Sequence, residues 1–181
     1  MERLAQSCTF FRMRYTFIID GSEQPCLSSR DMMRDTEFYS AKKGKHTVTI
    51  LMIMSIKGQI LYLSSSFPGI STDKQLVQET KDEWMWAFDA EENGLGDLGF
   101  TMRGDGTCID TPPADRASPL YRQMASIRIR IEQKFAEIKK WRATKETLRI
   151  PPAKREKLLL THNKYWTLAA VFVNLHNKRS F

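Results

Sequence analysis

Cysteine is scarce in this chain of 181 residues, and histidine equally so. Cys8, Cys26 and Cys108 are odd in number and contain no Cys-x-x-Cys spacing. That argues against a disulfide framework and a thiolate zinc site, and it suits a reducing compartment. His46, His162 and His176 are scattered, without metal-ligand spacing. Long hydrophobic runs are also missing. The longest, Val48 to Ile56 and Trp166 to Val173, are too short to span a bilayer. Arg3, Arg12 and Arg14 interrupt any signal-peptide core at the N-terminus. There is no internal repeat and no low-complexity segment. The sequence reads as a soluble, intracellular protein without a membrane partner.

What is present is ordinary in proportion and unusual in sign. Hydrophobic residues make up 41% and charged residues 27%, as in a globular chain, and the length suits one domain with a real core. The formal net charge is +7 and the pI about 9.4. That directs attention to polyanions, nucleic acid before anionic membrane.

Met1 to Arg14 shows no clear periodicity. Tyr15 to Ile19, β-branched and aromatic, predicts a strand that stops at Asp20-Gly21. Gly21 to Tyr39 reads as a polar loop, and Ser40 to His46 as a basic turn. Thr47 to Ile56 is almost wholly apolar, as in a strand covered on both faces. Lys57-Gly58 then forms a hairpin turn to a returning strand, Gln59 to Ser64, and Pro68-Gly69 ends the sheet run. A helix starts near Asp73, capped by Asp73 or Thr72. Trp84, Trp86 and Phe88 are expected in the core. Asp89 to Gly106 is glycine-rich and acidic. Ser118-Pro119 opens a long amphipathic helix marked by Leu120, Met124, Ile127, Ile131, Phe135 and Ile138. It is expected to reach Leu148, before Pro151-Pro152. A final helix covers Ala153 to His176.

The acids carry the chemical interest. Asp20 either opens a turn, since Asp-Gly is a common turn pair, or delivers a carboxylate to a metal. Glu132 lies four residues after Arg128 and seven before Lys139. The three form either a solvated ionic column or a carboxylate flanked by phosphate-holding cations. Asp73 sits at a helix start and Asp97 in a glycine turn. Hard divalent cations take such oxygen ligands, and paired ions can activate water against a phosphodiester.

A set of pieces occurs in order from about residue 15 to 175. They are Ile-Ile-Asp20-Gly-Ser-Glu, Tyr39-Ser-Ala-Lys-Lys-Gly-Lys-His46-Thr, Gly58-Gln-Ile-Leu-Tyr-Leu-Ser, Phe67-Pro-Gly-Ile-Ser-Thr-Asp73, Gly96-Asp97-Leu-Gly-Phe, and Arg128-Ile-Arg-Ile-Glu132 with Lys139 beyond. This set resembles the Harbinger-type (PIF/Harbinger) DDE transposases and the nucleases derived from them. The resemblance implies an α/β, ribonuclease-H-like fold, a mixed sheet flanked by helices with a long C-terminal helical segment. It implies a DDE endonuclease that hydrolyses DNA phosphodiesters and joins strands in transposition. Asp20, Asp97 and Glu132 would be catalytic, and with Asp73 would ligate Mg²⁺ or Mn²⁺. Lys42, Lys43, Lys45 and His46 would contact DNA, while Arg128 and Lys139 would orient its end.

The same resemblance makes residues 15–176 the catalytic domain and 1–14 the remnant of an N-terminal DNA-binding region, so the chain reads as a fragment or truncated copy. Thr72 stands where the family often has His. DNA, a homo-oligomer and a separate DNA-binding protein are the implied partners. The compartment would be nuclear in a eukaryote and cytoplasmic in a bacterium. Two other readings stay open. One is an inactive, domesticated DNA-binding or protein-interaction module on this scaffold. The other is an unrelated basic α/β binding protein whose acids are caps and surface residues.

Overall fold

The computed structural model describes residues 8–10, 13–28, 32–100 and 108–177. The strands are β1 (Cys8–Phe10), β2 (Met13–Pro25), β3 (Tyr39–Ser40), β4 (Lys45–Ser55), β5 (Ile60–Pro68), β6 (Asn93–Leu95) and β7 (Ile109–Asp110). The helices are α1 (Met32–Phe38), α2 (Asp73–Trp84), α3 (Pro119–Ile138), α4 (Arg142–Lys145) and α5 (Arg155–Asn177). Together they make an α/β fold, a mixed sheet flanked by helices with a long C-terminal helix. The strand order is β3-β4-β2-β6-β7, with β1 on β2 and β5 on β4. β1 and β2 run antiparallel, whereas β2, β6 and β7 run parallel. Among the described residues no helix is long and apolar enough to cross a membrane.

The chain divides into two compact units. The first comprises residues 1–20, 52–62 and 73–134. Its core is aromatic: the Phe17 ring lies 4.2 Å from Phe88 and 6.0 Å, edge-on, from Trp84. Gly94 in β6 lies directly against the Phe17 ring, where any Cβ would collide with it. That contact accounts for a glycine in a strand. The expected hairpin is present, with Gly58 at φ 94° and a Ser55–Gln59 backbone bond of 2.8 Å. Ser118 caps α3 as expected, its hydroxyl accepting from the Tyr121 amide at 3.0 Å.

The second unit comprises residues 21–51, 63–72 and 135–181. Cys26, Phe38, Val48, Leu148 and Leu158 form one buried cluster. Nearby Trp166 and His162 are fully buried and packed ring to ring at 5.5 Å. The Trp166 indole N–H donates to Gln24 Oε1 at 2.8 Å. The Gln24 amide nitrogen in turn donates to Ala143 and Glu146 carbonyls at 2.9 and 2.7 Å. A buried polar side chain is thus fully used.

Several sequence expectations need correction. The loop assigned to Gly21–Tyr39 contains the second half of β2 and helix α1. β2 continues because Ser22, Gln24 and Cys26 alternate inward while Glu23 and Pro25 stay half-exposed, a period-two pattern built mostly from polar residues. β5 runs on past Ser64 to Pro68. α3 ends at Ile138 instead of near Leu148. The Thr144 hydroxyl donates to the Ile138 and Trp141 carbonyls, at 2.6 and 3.0 Å, satisfying the helix end from outside it. α5 begins at Arg155 after a 3₁₀ turn, Pro152–Lys154. Trp86 is not core. A 3₁₀ turn, Met85–Ala87, leaves it 80% exposed, while Trp84 is buried. The expectation for Met1 to Arg14 falls largely outside the described residues.

His162 makes the second unit acid-sensitive. Its Nδ1 shares a 2.6 Å hydrogen bond with the Ser66 hydroxyl, and its Nε2 is buried without a partner. Burial, and then the Lys139 charge, push the imidazole down from its ordinary 6.5 to about 3. The folded value lies below the unfolded one, so the contribution to stability is complete above pH 6.5 and is lost as pH falls from there towards 3. Urea melts should show stability lower by about 2 kcal/mol at pH 5 than at pH 7. Most of that difference should vanish in His162→Gln; an unchanged difference would refute the assignment.

Candidate metal centre

β2 and β6 run parallel, with Ile18 paired to Leu95. Asp20 lies two residues further on within β2, and Asp97 two residues beyond the end of β6. Both side chains are half-buried. β6 has only three residues, and its pairing with β2 and β7 is what makes it a strand.

Just past β6 the chain enters a 3₁₀ turn, Leu98–Phe100, anchored by the buried Phe100. The Gly99 amide donates to Asp97 Oδ1 at 2.7 Å, and the Phe100 amide to the Asp97 carbonyl at 3.0 Å. These bonds fix the carboxylate. Asp73, in the first turn of α2, reaches the same place. A Cβ at Gly99 would clash with Asp73 Oδ2 and come within 2.9 Å of Asp97 Oδ1. Two carboxylates therefore converge on a space that only glycine leaves open. Like charges held so near each other are relieved by a cation, and an all-oxygen donor set suits a hard divalent one. Among the described residues no group of three or more His, Cys, Asp or Glu side chains gathers as a metal site. Glu132 projects from the exposed side of α3. Arg128, one turn earlier, is half-buried with its Nε shielded and unbonded.

The remaining basic candidates belong to the second unit. Lys42 and Lys43 lie on the exposed turn between β3 and β4, and Lys45 begins β4. His46 is engaged, its Nε2 2.9 Å from Asp35 Oδ2 and its ring edge-on to Tyr39. Lys139 falls just beyond α3, where its Nζ donates to the Glu23 carbonyl at 3.2 Å. Lys43, Lys45 and Lys139 line one cavity of about 260 Å³ together with Glu23, Pro25, Thr47 and Lys145. Glu23 and Lys145 were missed by sequence reasoning. The inward alternation of Ser22, Gln24 and Cys26 was the available signal for Glu23, whereas Lys145 carries none.

Residues 19–177 match the family of DDE superfamily endonucleases. No curated protein and no solved structure matches the chain. The family match spans most of the sequence, including the four acids, and the chain belongs to the DDE superfamily endonucleases.

Proposed function

We propose that the chain is the catalytic domain, residues 15–176, of a Harbinger-type transposase or transposase-derived nuclease. It cuts DNA phosphodiesters with Mg²⁺ or Mn²⁺ and joins strands. One observation supports this reading most: residues 19–177 match the DDE superfamily endonucleases, and within that span Asp73 and Asp97 converge on Gly99. Asp20, Asp73 and Asp97 would hold the cation, with Glu132 as the fourth acid. Bound there, the metal would supply an activated water and stabilise the leaving oxygen. The Gly99 amide orients Asp97 for that task. Arg128 and Lys139 orient the DNA end, and Lys42, Lys43, Lys45 and His46 hold its phosphates. These contacts make binding salt-dependent.

The test is a plasmid-nicking assay with Mg²⁺ or Mn²⁺ against a chelator. Nicking should require metal and should vanish in Asp20→Asn and Glu132→Gln with the fold intact. Salt-sensitive DNA binding without metal-dependent nicking would overturn catalysis and leave a DNA-binding module on this scaffold.

A further inference from the structure

The lysine-lined cavity of the second unit is a built hollow. Lys43, Lys45, Lys139 and Lys145 line about 260 Å³, with Glu23 the one acid in its wall among the described residues. The Glu23 carboxylate is already committed, accepting from the Thr47 hydroxyl at 2.7 Å. Cations therefore dominate the wall.

Three of these lysines, Lys43, Lys139 and Lys145, are held by contacts at the tip or on the neighbouring backbone. Lys139 is held at its tip by the Glu23 carbonyl and lies 5.7 Å from the Trp166 ring. The turn bearing Lys43 is closed by the Lys43 and Gly44 amides donating to the Ser40 carbonyl, at 3.2 and 2.8 Å. Gly44 sits there at φ 64°. Lys145 ends α4, whose flanks are tied down by the Gln24 amide through Ala143 and Glu146. The Lys139 charge and the backbone carrying Lys43 and Lys145 are thus in place before any ligand arrives, which lowers the ordering cost of binding.

We propose that this cavity seats the terminal phosphate of a nucleic-acid strand. The inference rests on the reading of DNA as substrate and extends it to strand ends. Charge selects the ligand. A terminal phosphomonoester carries nearly two negative charges at pH 7 and three acceptor oxygens. An internal diester carries one charge and would leave most of the lysines uncompensated. The shape agrees, because the four lysines line one hollow. Free phosphate shares this chemistry, so the test separates the two sources.

The experiment measures binding of short duplexes to the full chain by fluorescence anisotropy, with chelator present. One duplex has 5′-phosphate ends and the other 5′-hydroxyl ends. The phosphorylated duplex should bind about tenfold tighter, as charge-assisted contacts of this kind allow. Lys43→Gln and Lys145→Gln should each erase that preference, whereas Lys74→Gln on α2 should keep it. Equal binding of both duplexes, weakened alike by Lys145→Gln, would mean the lysines read internal phosphates and would overturn the proposal. Saturable binding of inorganic phosphate with no preference between duplex ends would overturn it too. No metal is required, so a chain that fails to nick can still show the end preference, and a nicking chain can lack it.

Discussion

Asp97→Asn should cut metal-dependent nicking by on the order of a thousandfold. Asp97 shares a small space with Asp73 at Gly99. Asparagine keeps an oxygen for the Gly99 amide, so the turn survives while the charge is lost. Gly99→Ala provides the complementary perturbation. Both acids remain, but the new methyl collides with Asp73 and crowds Asp97. It should lower nicking and weaken Mn²⁺ binding, the latter measured calorimetrically without DNA. Full activity in Asp97→Asn would exclude this carboxylate from the chemistry.

Trp166→Ala should destabilise the protein by about 3–5 kcal/mol, enough to consume a large part of an ordinary domain's stability. The indole is fully buried, edge-on to Phe135 at 6.1 Å and tilted against His162 at 5.5 Å. Its removal opens a cavity and deprives Gln24 Oε1 of its donor. Gln24 also holds the carbonyls of Ala143 and Glu146, so the damage should spread to α4. Trp166→Phe would fill part of the cavity but still lose the hydrogen bond, and should fall between. Urea unfolding followed by circular dichroism measures both variants. A loss below about 1 kcal/mol in Trp166→Ala would contradict this account of the core.

How legible each feature was depended on where its signal lay. β4 and its hairpin were readable because an unbroken apolar run and a positive-φ glycine are local facts. So was the start of α3, where Ser118 caps the first turn. The end of α3 was not, because its cause is the Thr144 hydroxyl folding back on Ile138 and Trp141. The second half of β2 escaped notice because its inward residues are Ser22 and Gln24, polar side chains justified only by distant partners. β6 is too short to announce itself without β2 and β7. In the candidate site, the order of the acids was visible in the motifs. The convergence of Asp73 and Asp97 on Gly99 was not, since no spacing encodes which carboxylates meet. Lys145 shows the same limit, for it reaches the lysine cavity only through the turn that follows α3.

β2 bears Asp20 near its middle and Gln24 four residues later, and the two are bound by the parity of one strand. A single inserted or deleted residue between Phe17 and Gln24 would invert the downstream alternation, turning Gln24 away from Trp166. β2 should therefore change by substitution alone, its residue count held constant by the side chains it must aim.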